Sequence, residues 1–177
     1  MASVLECIKT RRSVRKYKDQ AVSKDLLKQI VEAGLYAASG KGKQAPVIIT
    51  ITNKDLISEI TKVNAEIMGS PNTDTFYGAP VIILVAGSLK ANEKTAFADG
   101  TLALGNMMIA AHSLGLGACW INRAKEGLKF DVYKDIFHSI GLNADEFIGV
   151  GHLALGYPEG ELPAAAPRLP QREFYID

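Results

Sequence analysis

The chain has 177 residues, 47% of them hydrophobic, with 20 Lys and Arg against 19 Asp and Glu for a formal net charge of +1. That length and apolar content suit one folded unit with its own core, while the near-balance of charge argues against coating a nucleic acid or an anionic membrane, which takes a net cationic footprint. Cys7 and Cys119 stand far apart with no CxxC pair and no Cys and His spacing suited to zinc, so neither a disulfide framework nor a metal site is expected, and a reducing, cytoplasmic setting fits.

The opening "MASVLECIKT" lacks a long apolar run behind positive charge, and no segment reaches the roughly twenty apolar residues of a membrane span, so a soluble, unprocessed chain is expected. Ser3 and Glu6 have the spacing of a capping box, and Val4, Leu5 and Ile8 give the helix it starts an apolar side; that helix is predicted to run into "RRSVR". Ser23 is the predicted N-cap of a second helix, with Leu26, Leu27, Ile30, Val31, Gly34 and Ala38 on one face and Lys24, Asp25, Lys28, Gln29 and Glu32 on the other. "SGKGKQAP" breaks the pattern, "VIITIT" reads as a buried strand of β-branched residues, and a short helix near 54–68 follows.

"GSPNTDTFYGAP" is a loop by composition and leads into "VIILVAG", a second strand; both strands are expected to lie centrally in the sheet. From Asp99 to Leu114 the chain is apolar nearly all round, which marks a helix buried inside the protein or against a partner chain. Gly115 and Gly117 end it, "ACWIN" makes a third strand, "VYKDIFHSI" a short helix closed by Gly141, and "FIGVGHLALGY" a fourth strand. The proline-rich tail "PEGELPAAAPRLPQREFYID" is predicted to be an extended arm. Strands and helices do not alternate regularly, and no GxGxxG follows a strand, so the class is α+β rather than doubly wound. His112, His138 and His152 have no spacing suited to a metal triad and are read as structural, and Cys119, with no base beside it, as a small buried hydrophobe.

The segment "TRRSVRKY", residues 10–17, packs Arg11, Arg12, Arg15 and Lys16 around one Ser and one Val. It is either a solvated turn between helices or an anion pocket, since Arg offers a planar fork of donors and the C-terminal end of a helix favours cations. In an extended backbone, alternation sends Arg11, Ser13 and Arg15 to one side and Arg12 and Val14 to the other.

"RRSVRKY", "AASGKGKQAP", "YGAPVIILV", "HSLGLGACWI" and "APRLP" occur in an order and spacing that resemble the nitroreductase family of flavin enzymes over essentially the whole chain, as a compact member. The resemblance implies a single FMN-binding domain over 1–177 with 158–177 as a C-terminal arm. It also implies a mostly antiparallel sheet of four to five strands flanked by helices, and a homodimer with FMN at the subunit interface. Arg11 and Ser13 would then hold the FMN phosphate and ribityl chain with Arg12 beside them, Arg15 would reach the N1 and C2 carbonyl edge, and Arg168 would return to the same phosphate. Ser39, Gly40, Gly42 and Gln44 would pack on the dimethylbenzene side from the neighbouring subunit. In that loop many relatives carry Asn where Gly42 stands and continue Gln, Pro, Trp, so one polar contact of the pattern is missing. Trp120, Ile121, Asn122 and Arg123 would line the pyrimidine and N5 edge.

The activity implied is ping-pong transfer of hydride from NADH or NADPH through flavin N5 to a small, flat, electron-poor aromatic acceptor such as a nitroaromatic or quinone. It requires no metal and no catalytic acid, base or nucleophile from the protein. A dehalogenase or ene-reductase on the same fold, or a flavin-binding module without turnover, are the alternatives.

Overall fold

Four strands, β1 (Pro46–Ile51), β2 (Val81–Ser88), β3 (Gly117–Ile121) and β4 (Phe147–Gly156), form one antiparallel sheet in the order β1-β2-β4-β3 in the computed structural model, which describes residues 3–176. Every residue from Val81 to Gly87 is buried, because helices cover both faces of the sheet. Alternation along β2 divides the core in two. Ile82, Leu84 and Ala86 join a cluster with Phe76, Tyr133 and Phe137, while Val81, Ile83 and Val85 join one with Ile30, Leu104 and Met107.

β1 was expected to be buried and central, and the structure puts it at an edge, paired only with β2 among the named strands, with Ile51 buried, Thr50 exposed and the rest half-buried. A run of β-branched residues signals strand but not how many neighbours the strand pairs with, and an edge strand leaves part of its surface to solvent, which is why the expectation failed.

The helices are α1 (Val4–Thr10), α2 (Lys24–Leu35), α3 (Lys54–Ile67), α4 (Leu89–Asn92), α5 (Ala96–Ser113), α6 (Ala124–Gly127) and α7 (Asp131–Ser139). Ser3, Ser23 and Asn53 cap the first three, accepting from the backbone N–H of Glu6 at 3.2 Å, Leu26 at 3.3 Å and Leu56 at 3.0 Å. α1 stops at Thr10 instead of running into "RRSVR": Arg11 is its C-cap with extended backbone (φ −57°, ψ 135°), and the residues beyond are drawn to the sheet. From the Tyr17–Pro158 bridge onwards the described tail carries no helix or strand of its own. Among the described residues, no helix is long and apolar enough to cross a membrane.

His152 sits fully buried in the middle of β4. Its Nε2 lies 2.9 Å from the Tyr133 hydroxyl, the Phe76 ring meets it edge-on at 5.3 Å, and its Nδ1 has no partner. Burial pushes its pKa down from 6.5 to about 4. The unfolded chain holds that proton below about 6.5 and the folded one only near 4, so in this window the unfolded state binds more protons. Stability should therefore fall as pH drops from about 6.5 towards 4, and His152→Leu, followed by urea unfolding at several pH values, should flatten that part of the profile.

Candidate functional site

After α1 the chain turns extended and lies along the free edge of β3. Ser13 forms a parallel bridge with Ala118, and the Val14 N–H donates to the Ala118 carbonyl at 3.1 Å. Val14 is 6% exposed and Tyr17 is buried, whereas Ser13, Arg15 and Lys16 face solvent. The close approach depends on Gly117, where a Cβ would stand 2.6 Å from Val14 Cγ2. Tyr17 fixes the far end by sharing its one hydroxyl proton between the carbonyls of Val14 (2.8 Å) and Ala154 (3.1 Å).

The cations of this segment meet different fates. Arg12 turns away to backbone carbonyls, its Nε donating to Pro163 at 3.1 Å and its Nη1 to Lys9 at 2.9 Å and Arg11 at 2.5 Å, so only Nη2 is left for a ligand. Arg15 lies with Cζ 5.9 Å from the centre of the Tyr77 ring, a cation–π contact. Arg11 is half-buried, and its Nη1 is a buried donor with no acceptor. None of the three arginines is in a salt bridge among the described residues.

An orphaned guanidinium nitrogen is costly unless something accepts from it, and an anion is the group that does so best. His112 on α5 borders the same place. Its Nε2 is 2.8 Å from Thr10 Oγ1, and that hydroxyl already donates to the Glu6 carbonyl, so the ring donates through Nε2. Burial lowers the His112 pKa, and the positive charges of Arg11 and Arg12 lower it further. Cys119 lies beside Ser13, Arg15 and Arg11, yet burial raises its thiol pKa against the pull of those groups, and it stays an unreactive core residue.

The loop 39–44 is held by α5. The Gly40 N–H donates to Asp99 Oδ1 at 3.0 Å, Thr95 Oγ1 donates to Asp99 Oδ2 at 3.0 Å, and a Cβ on Gly40 would meet Asn92 Nδ2 at 2.8 Å. Ser39 Oγ accepts from the Gln44 N–H at 2.9 Å, and Lys41 (φ 55°), Gly42 (φ 65°) and Gln44 (φ 49°) are left-handed. Gly42 and Gln44 are exposed, and no described hydrogen bond joins this loop to residues 11–15 of the same chain.

At the end of β3, Trp120 is half-buried with an unpartnered Nε1, Ile121 is buried and Asn122 is exposed. Arg123 is left-handed (φ 78°), and its Nε donates to Asn64 Oδ1 at 2.9 Å while Asn64 Nδ2 donates to the Asn122 carbonyl at 3.1 Å. Arg168 is exposed on the tail, where its Nη2 donates to the Ala166 carbonyl at 2.6 Å; no described bond brings it to Arg11 or Ser13 within one chain.

Three residues at the site escaped the sequence reading. Asn64 is a lone amide on the buried face of α3, and Asp99 is the one carboxylate within α5. Tyr77 is a bulky residue at φ 59°, flanked by N–H groups of Phe76 and Gly78 that Asp74 accepts at 2.9 and 2.6 Å. A polar residue out of place in an apolar pattern was the available signal for the first two. Among the described residues, no group of three or more His, Cys, Asp or Glu is placed to hold a metal ion.

The fold is thus α+β, with an extended, arginine-bearing segment docked on a sheet edge and one buried guanidinium donor left without a partner. Residues 8–157 match the Nitroreductase family, and the chain belongs to it. A Methanothermobacter thermautotrophicus protein provisionally named an NADH dehydrogenase/NAD(P)H nitroreductase is 35% identical over 119 residues, covering 66% of this chain and 59% of that protein. An FMN reductase [NAD(P)H] of Bacillus subtilis is 27% identical over 197 residues, covering 97% of this chain and 72% of the relative. Among solved structures, a Bacteroides fragilis nitroreductase with bound FMN superimposes with a TM-score of 0.87 at 27% identity, covering 100% of both chains.

Burying Val14 is worth about 2 kcal/mol, and overpacking its seat costs about 1–3 kcal/mol. Gly117→Val should lower stability by about that second amount in urea unfolding. It should also make trypsin cleave within residues 11–16 faster than in the wild type.

Proposed function

We propose that this protein is an FMN-dependent oxidoreductase that takes hydride from NADH or NADPH and delivers it to a small, flat, electron-poor acceptor such as a nitroaromatic or quinone. We further propose that it works as a homodimer, each chain forming one FMN-binding unit over 1–177 with 158–177 as an arm. The observation that carries the reading is the buried, unpartnered Arg11 Nη1 two residues before the exposed Ser13, in a segment fixed to the sheet edge. Such a donor set fits a phosphate monoester, and the B. fragilis relative of the same fold contains FMN.

A bound flavin would supply the hydride-transfer chemistry. The chain's own residues bind and orient it. Arg11 and Ser13 donate to the phosphate, and Arg12 contributes its remaining Nη2. Arg168 is carried to the same phosphate by the tail, whose proline content lowers the entropy lost on docking. Arg15 places a fixed positive charge where reduction puts negative charge on the pyrimidine side, which favours the reduced form. Trp120, Ile121, Asn122 and Arg123 form the neighbouring wall, and Ser39, Gly40, Gly42 and Gln44 approach from the partner subunit. With the reacting centre on the cofactor, no protein nucleophile would be called for.

The dimer is supported by apolar side chains left uncovered. Val4 (69% exposed), Leu5 (68%) and Ile8 (49%) line one side of α1, Phe97 and Leu102 project from α5, and the tail exposes Leu169, Phe174, Tyr175 and Ile176. A second copy of the chain is the occupant that covers the face of α1 and receives the tail.

The purified protein should be yellow, and NADH or NADPH should bleach it without oxygen. A colourless protein that takes up no FMN would overturn the reading, and a yellow one that neither nicotinamide bleaches would reduce it to flavin binding without turnover. Changing Arg11 and Arg168 together to Ala should weaken FMN binding at least about tenfold, since charge-assisted hydrogen bonds are worth about 1.5–3 kcal/mol each. Unchanged FMN affinity in that variant would defeat the phosphate assignment. Leu5→Asp should shift the sedimentation of the protein from dimer to monomer with loss of FMN; a variant that stays dimeric would remove α1 from the interface.

A further inference from the structure

We propose that Asn64 is a positioning residue for the flavin site, holding Arg123 so that its free donors are aimed at the flavin's pyrimidine edge; this rests on the FMN reading above. Asn64 is fully buried on α3 between Ile60 and the core, at a place where an aliphatic side chain would pack without any demand for partners. A buried carboxamide is tolerated only when both of its ends are bonded, and here both are. Its two bonds go to consecutive residues, Nδ2 to the Asn122 carbonyl at 3.1 Å and Oδ1 from Arg123 Nε at 2.9 Å. One side chain thus fixes both the backbone leaving β3 and the direction of the guanidinium.

The backbone it fixes is unfavourable. Arg123 is left-handed (φ 78°, ψ 10°), a conformation that costs a non-glycine residue about 1–2 kcal/mol and persists where the surroundings over-determine it. Nε is spent on Asn64, and no described hydrogen bond or salt bridge takes Nη1 or Nη2. The charge is also close to the core. Arg123 is among the causes acting on the ionisation of both Tyr133 and His152. A half-buried, oriented cation with unspent donors is a receiver for an electronegative edge, and the carbonyl groups of the flavin's pyrimidine ring are such an edge. If Asn64 only closed the end of β3, its loss would be felt in stability and not through Arg123.

A double-mutant cycle separates these roles. Apoprotein of the wild type, Asn64→Leu, Arg123→Met and the double variant would be titrated with FMN by quenching of flavin fluorescence, with thermal unfolding of each recorded alongside. Each single change should raise the FMN dissociation constant about tenfold, and the double variant should bind no more weakly than either single one, because both remove the same interaction. Multiplying losses, about a hundredfold in the double variant, would overturn the proposal. So would an Asn64→Leu protein that melts earlier yet binds FMN as the wild type does.

Should Asn64→Leu fail to fold, Arg123→Lys decides. Lysine keeps the charge but has no Nε for Asn64 to hold, so it should bind FMN as weakly as Arg123→Met; wild-type affinity there would overturn the proposal. A wild-type protein that takes up no FMN removes the functional reading itself, and with it this inference. Binding by the wild type with unchanged variants removes the inference alone.

Discussion

A single buried valine among cations sets the geometry of the site. Val14 seats against Gly117 and pairs its N–H with Ala118, and once it points inward the pleat obliges Ser13 and Arg15 to point out. Gathering Arg11, Arg12, Arg15 and Lys16 in so short a stretch is electrostatically unfavourable, and the structure relieves each charge differently. Arg12 is absorbed by backbone carbonyls, Arg15 by the Tyr77 ring, and Lys16 by Glu159 at 3.4 Å. Arg11 alone of these keeps a buried donor with nothing to bind. That asymmetry is the feature on which the proposed anion site rests.

Several loops of the chain share a device. Lys41, Gln44, Tyr77 and Arg123 adopt left-handed backbone that side-chain-bearing residues rarely take. Each loop is pinned by a polar side chain: Asp99 holds Gly40, Ser39 holds Gln44, Asp74 holds Phe76 and Gly78, and Asn64 holds Asn122 and Arg123. Strain of this kind persists only where such bonds over-determine the backbone, and it keeps the loops in one shape before any ligand arrives. The sheet supplies the rigidity behind them, since β2 and β4 carry almost uninterrupted buried side chains.

Much of the framework was legible in the sequence because it is local. Caps at Ser3 and Ser23, the apolar face of α2 and the four strand runs all follow from short-range periodicity and breaker residues. What depended on distant partners was not legible. β1 sits at an edge, α1 ends where β3 captures the chain, and the single turns α4 and α6 are too short for a period to emerge. The same division runs through the site. The outward direction of Ser13 and Arg15 follows from alternation, but Arg12 is captured by Pro163 on the far tail, which no local pattern encodes. Asn64 and Asp99 draw their meaning from bonds to loops more than fifty residues away in sequence.

The most direct measurement of the proposed phosphate grip compares FMN with riboflavin, which carries the same ring and ribityl chain without the phosphate. Titration of the apoprotein with each, at low and at high salt, should give FMN an affinity on the order of a hundredfold or more above riboflavin, with an advantage that shrinks as salt rises. Equal binding of the two at every salt concentration would contradict a site built around Arg11.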